Sequence, residues 1–155
     1  MTLPSIDTPA MLDFLTGLLN IPSPTGFTDQ AIAYTEKALQ QFPFLELHRT
    51  RKGGLVATWS GTHANAPRAL TAHVDTLGAM VKEIKSNGRL KLTRIGGFGW
   101  SSAEGEGCTV FATNGEQVRG AILLTKASGH VYGSQFTETK RDDDNMEVRL
   151  DARTT

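Results

Sequence analysis

The sequence predicts an α/β layer over residues 1–75 and a small antiparallel β-barrel or sandwich over residues 76–155. Three observations carry this reading. Apolar residues recur at helical spacing twice before Pro43, the period then shortens to that of strands, and beyond Asp75 two Asn-Gly pairs each sit between alternating runs.

Asp7 or Thr8 can cap the first helix, with Pro9 in its first turn, where a missing N–H costs nothing. Met11, Leu12, Phe14, Leu15, Leu18 and Leu19 then form one stripe. Ile21-Pro22-Ser23-Pro24-Thr25-Gly26 stops that helix, since two prolines and a glycine cannot continue it. Thr28 is the expected cap of a second helix carrying Ala31, Ile32, Tyr34, Thr35, Ala38 and Leu39, and Pro43 ends it. Leu45-Glu46-Leu47-His48 and Leu55-Val56-Ala57-Thr58-Trp59 read as strands joined through Gly53-Gly54. Arg68-Ala69-Leu70-Thr71-Ala72-His73-Val74 is nearly continuous in apolar character and is expected to be a third, buried strand.

Beyond Asp75, Ala79 through Ile84 and Leu90 through Ile95 flank Asn87-Gly88, and Cys108 through Ala112 and Val118 through Leu124 flank Asn114-Gly115. Asn-Gly between alternating strands is the strongest short hairpin signal. Residues 137–145 are polar, and Met146-Glu147-Val148-Arg149-Leu150 alternates again as a strand.

The chain has 155 residues, room for one ordinary domain or two small ones. Sixteen basic and sixteen acidic side chains cancel, which removes the electrostatic case for a nucleic-acid partner. Cys108 is the only cysteine, so an intramolecular disulfide is excluded and a reducing compartment fits. The first residues lack a basic stretch, and no apolar run approaches the ~18 residues a membrane helix needs. The expectation is a cytoplasmic chain with no membrane partner.

The sharpest chemical feature is Thr71-Ala72-His73-Val74-Asp75-Thr76. On a strand, His73 and Asp75 project from one face. A carboxylate beside an imidazole takes the ring N–H, fixes the tautomer and makes the other nitrogen a better metal ligand. A buried histidine satisfied by its neighbouring aspartate is the alternative. His48 and His63 have no carboxylate at useful spacing, and His130 lies in the glycine-flanked Ala127-Ser128-Gly129-His130-Val131-Tyr132-Gly133, expected to be a loop. Asp142-Asp143-Asp144 lacks the alternate carboxylates and glycine of a calcium loop and reads as a solvated acidic turn. Gly96-Gly97-Phe98-Gly99-Trp100 has no Gly-Lys-Ser/Thr and reads as a loop rather than a phosphate cradle. Cys108 opens an apolar strand without a basic sequence neighbour and reads as structural.

Taken in order, the opening amphipathic helix, the P-S-P-T-G turn, the A-H-V-D segment, L-G-A-M-V-K-E-I, the N-G hairpin and I-G-G-F resemble the N-terminal part of the M42 peptidases. These are dinuclear metallo-aminopeptidases of the glutamyl-aminopeptidase and tetrahedral-aminopeptidase type. The likeness continues through T-K-A-S-G-H-V-Y-G and N-M-E-V-R-L-D-A-R. It implies an α/β catalytic domain interrupted after the H-x-D segment by a PDZ-like β-barrel insert. That makes residues 1–75 part of the first domain and residues 76–155 the insert, incomplete at its C-terminal end. It also implies that His73 is a metal ligand and Asp75 the catalytic aspartate that orients it. Two divalent ions, zinc or cobalt, a peptide substrate and a homo-oligomer follow from the same resemblance. The remaining ligands and the general base, an Asp, a Glu-Glu pair, a further Asp and a final His, have no counterpart here.

Two side chains cannot supply the roughly three or four protein ligands that a zinc ion takes. The chain by itself is therefore expected to be inactive, to bind metal poorly, and to expose sheet edges and apolar faces in its first part. The second expectation is of another class, a non-catalytic β-module over residues 76–155 for oligomer contacts or peptide binding.

Overall fold

In the computed structural model, which describes residues 5–62 and 65–150, the chain separates into two units, Met1–Thr76 and Leu77–Thr155. The first begins with helix α1 (Thr8–Leu19), whose N-cap is Asp7: its Oδ1 accepts from the Ala10 N–H at 3.1 Å. This satisfies one of the donors that a helix start leaves over. Helix α2 (Asp29–Leu39) follows, and strands β1 (Leu45–Arg49) and β2 (Leu55–Trp59) form an antiparallel hairpin in which Leu47 faces Ala57. Phe14 stacks on Tyr34 with ring centroids 5.4 Å apart, and Gly17 leaves room for the Tyr34 ring, which a Cβ there would strike.

Little of this unit is covered. Ala31 is its one fully buried apolar residue among those described, and α1 buries none of its own. Met11, Leu12, Leu15 and Leu19 face outward, and Trp59 is 72% exposed. The sequence pattern of α1 is amphipathic as expected, yet its apolar stripe has almost nothing to pack on.

The strand expected over residues 68–74 is not formed, and this is a correction. Residues 65–75 carry no strand assignment, and Leu70 is fully exposed. A strand of continuous apolar character requires paired neighbours at its edges and layers on both faces. Among the described residues the only pairing near it is an isolated parallel bridge between Pro24 and Thr76, with the Thr76 N–H donating to the Ser23 carbonyl at 2.7 Å. Propensity without pairing partners does not by itself make a strand.

The second unit is a five-stranded antiparallel sheet of β3 (Gly78–Ile84), β4 (Leu90–Ile95), β5 (Gly107–Phe111), β6 (Gln117–Leu124) and β7 (Met146–Arg149), in the order β3-β4-β7-β6-β5. Both Asn-Gly hairpins form where the sequence places them. Asn87 Oδ1 accepts from the Arg89 N–H and Asn114 Oδ1 from the Glu116 N–H, while Gly88 takes the left-handed conformation at φ +77°. Among the described strands β3 and β5 end the pairing order.

β7 occupies the centre. Val148 faces Leu90 on one side and Ile122 on the other, and Met146 faces Leu124. Leu90, Leu92, Trp100, Leu124, Met146 and Val148 make the buried cluster. Fully burying an aliphatic side chain of this size contributes about 1.5–3 kcal/mol. Two further segments expected as loops contain short helical turns: Trp100–Ser102, and Gly129–Tyr132 (α3) followed by Gln135–Glu138 (α4). In α3 the Tyr132 and Gly133 N–H groups donate to the Ser128 and Gly129 carbonyls, which closes one turn inside the glycine-flanked stretch. Among the described residues no helix is long and apolar enough to cross a membrane.

Candidate functional site

His73 and Asp75 meet although the segment between them is not a strand. His73 Nδ1 lies 2.9 Å from Asp75 Oδ1 and 3.2 Å from the Asp75 carbonyl oxygen. With acceptors on that side, Nδ1 must carry the ring proton, and the lone pair is then on Nε2. The imidazole is 82% exposed, so Nε2 is open to the surroundings.

The other carboxylate oxygen is also engaged. Thr25 Oγ1 donates to Asp75 Oδ2 at 2.6 Å. The Thr25 hydrogen bond, then the one from His73, hold the Asp75 carboxyl below the usual carboxylate range. Asp75 is therefore an acceptor throughout the neutral range, bridging a hydroxyl and an imidazole.

The donor chemistry of this pair fits one histidine ligand with its orienting carboxylate. It does not fit a complete metal site: among the described residues no group of three or more His, Cys, Asp or Glu side chains could hold an ion. The other histidines do not join it. His48 is exposed on β1, His130 is exposed on α3, and His63 lies outside the described residues. Cys108 is half-buried at the start of β5; burial pushes its thiol up, with Arg119 opposing, which suits an unreactive structural role.

The acidic triplet forms a turn with Asp144 exposed, as expected, and its carboxylates also have protein partners. Asp142 Oδ1 accepts from the Asp144 and Asn145 N–H groups and from Asn145 Nδ2, shaping the turn into β7. Asp143 Oδ1 accepts from Trp100 Nε1 at 2.6 Å and from Arg94 Nε at 2.8 Å, and Asp144 pairs with Lys91 at 2.7 Å. These carboxylates have protein partners and no metal geometry. In Gly96 through Trp100 the Phe98 carbonyl accepts from Arg94 Nη1, and Trp100 enters the core.

Sequence reasoning missed Thr25 and Glu147. Thr25 belongs to a turn whose only local signal is helix termination, and its partner stands 50 positions away. Glu147 sits mid-strand, 2% exposed, with its carboxylate on Lys85 Nζ at 2.8 Å and on Arg89 Nη1. Lys85 and Arg89 flank the Asn87-Gly88 turn, a basic pair that points to an acidic partner without naming it.

The family model for the M42 glutamyl aminopeptidases matches residues 53–155. A putative aminopeptidase of Bacillus subtilis, YhfE, is 47% identical over 140 residues, covering 90% of this chain and 40% of that protein. Among solved structures, a TET aminopeptidase from a marine-sediment thaumarchaeon superposes with a TM-score of 0.81 at 20% identity, over 96% of this chain and 40% of that one. A Pyrococcus horikoshii TET1 peptidase, described as assembling into a tetrahedron or a large octahedral shell, superposes at 0.69 with 20% identity, over 93% of this chain and 41% of that one. The chain thus spans about two fifths of the length of the relatives it matches.

Proposed function

The chain belongs to the M42 glutamyl aminopeptidase family, and from that premise we propose that it is the N-terminal portion of a dinuclear metal-dependent aminopeptidase that hydrolyses N-terminal peptide bonds. Residues 1–75 are its part of the α/β catalytic domain, and residues 76–155 are the PDZ-like β-barrel insert. His73 is a metal ligand and Asp75 its orienting carboxylate. The observation that carries this reading is the fixed ring of His73, with Nδ1 held on Asp75 at 2.9 Å and Nε2 left outward.

Two divalent ions, zinc or cobalt, supply a Lewis acid and an acidified water in hydrolases of this kind when bound. The part played by this chain is narrower. Asp75 keeps the proton on Nδ1, and His73 presents one basic nitrogen. Among the described residues no group of three His, Cys, Asp or Glu side chains forms around them, so the chain alone is inactive and binds zinc weakly. The exposed stripe of α1 and the unpaired segment before Asp75 agree with a catalytic layer whose further strands lie elsewhere in the protein. A homo-oligomer is supported by the shell-forming TET1 peptidase. The place of action is the cytoplasm, with peptides as substrate and neither nucleic acid nor membrane as partner.

Equilibrium dialysis of the 155-residue chain against zinc tests the incompleteness, with weak and substoichiometric uptake as the expected result. Tight uptake of an ion per chain refutes it. Reading the coding DNA past the Thr155 codon tests the rest: an open frame supplying an Asp, a Glu-Glu pair, a further Asp and a His supports the aminopeptidase.

One observation favours a second reading, a β-module for oligomer contacts or peptide binding. Edge strand β3 leaves Met80 and Ile84 about three-fifths exposed, and a free edge can accept an added strand. A strict monomer in the ultracentrifuge, together with no peptide binding, removes it.

A further inference from the structure

We propose that Thr25 is a positioning residue for His73: by donating to Asp75 Oδ2 it holds the carboxylate in the orientation that keeps the ring proton on Nδ1 and leaves Nε2 free for a cation. The inference rests on the reading of His73 as a ligand and adds a residue which that reading does not contain. Each Asp75 oxygen has one partner, His73 Nδ1 on Oδ1 at 2.9 Å and Thr25 Oγ1 on Oδ2 at 2.6 Å. With both ends engaged, rotation of the carboxylate about its last bond is blocked. Among the described residues the His73 ring has hydrogen bonds to Asp75 alone, so its orientation is only as good as that of Asp75.

Thr25 is itself rigidly held. The Phe27 N–H donates to the Pro24 carbonyl at 2.7 Å across a turn whose third residue, Gly26, has φ +89°, a conformation that glycine adopts freely. That turn is tied to the residue after Asp75 by the Ser23–Thr76 hydrogen bond of 2.7 Å and the Pro24–Thr76 bridge. Backbone and side chain thus clamp the same place from one turn. A helix stop would need neither the hydroxyl nor the backbone clamp.

The test is the tautomer of His73, read by NMR of the full 155-residue chain labelled with 15N-histidine at alkaline pH, where an imidazole is neutral. The wild type is expected to be mainly Nδ1–H. Thr25→Val keeps the shape and removes the donor, and should move the ratio toward Nε2–H by about fivefold. Thr25→Ser restores the donor and should restore the ratio. A purely structural role would lower the melting temperature of Thr25→Val and leave the ratio of the folded chain unchanged. An unchanged ratio overturns the role of Thr25 and leaves His73 as a ligand standing, whereas Nε2–H in the wild type overturns both. A variant-free check covers the case in which Thr25→Val unfolds: the wild-type Thr25 hydroxyl proton should exchange slowly and couple to the Asp75 carboxyl carbon, and a fast-exchanging hydroxyl overturns the proposal.

Discussion

Glu147→Gln removes the one carboxylate in the middle of β7 while keeping its shape. The native side chain is 3% exposed, and its partners Lys85 and Arg89 are 24% and 36% exposed. Removing one partner of a fully buried pair costs about 3–5 kcal/mol, because the charge left behind stays dry. Here the two cations stand near water and can turn toward it, and the amide oxygen still accepts one hydrogen bond. The expected loss is therefore about 2 kcal/mol, close to one charge-assisted hydrogen bond. Urea unfolding followed by tryptophan emission reads it, since Trp100 is 1% exposed and reports on the β-unit, while Trp59 is already 72% exposed and changes little. With a slope of about 1–2 kcal/mol per molar, the midpoint should fall by about 1–2 M. Acid adds a second signature. Burial alone would raise the Glu147 carboxyl, but the hydrogen bonds and charges of Lys85 and Arg89 outweigh it and hold it below its ordinary 4.5. A depressed folded-state value means that this stabilisation is complete above the unfolded-state value and is lost as the pH falls through the folded one. The variant should lack that part of the acid loss. A midpoint within about 0.3 M of wild type, with the same acid profile, refutes the assignment of this ion pair as a stabilising element.

Asp143→Ala strips the acceptor from Trp100 Nε1 and from Arg94. It should cost about 1–3 kcal/mol by leaving a buried indole N–H unpaired, and an unchanged urea midpoint refutes that. Gly120→Ala places a Cβ 2.6 Å from Val148 Cγ1, 2.8 Å from Leu150 Cδ2 and 3.1 Å from the Arg149 carbonyl oxygen, so it overpacks the β6–β7 contact. The expected cost is about 1–3 kcal/mol in the same assay, and a neutral result would show that β7 shifts freely.

The two hairpins of the β-unit were legible because Asn87-Gly88 and Asn114-Gly115 encode their turns locally, and the α1 cap was legible as Asp7 or Thr8, of which Asp7 takes the role. The central place of β7 was not, because its partners lie in β4 and β6 and nothing within Met146–Arg149 names them. Residues 68–74 show the opposite failure. Their apolar run was read as a buried strand, but a strand exists only when a neighbour pairs with it. At the site, the spacing of His73 and Asp75 was enough to bring them together. Thr25 was invisible because turn chemistry and carboxylate support look alike in sequence. The partners of Asp143 and Asp144 were not legible because Lys91, Arg94 and Trp100 lie in distant elements.

The central position of β7 also sets the order in which this sheet can come into being. Each hairpin closes over neighbouring residues and can form within microseconds. Among the described strands the two are joined only through β7, which is the last of the five along the chain. During synthesis both hairpins therefore wait, apolar sides open, until residues 146–149 clear the ribosome. Docking of that single four-residue strand is then the slow, long-range event of assembly, the step at which a chaperone or an intruding edge strand would compete.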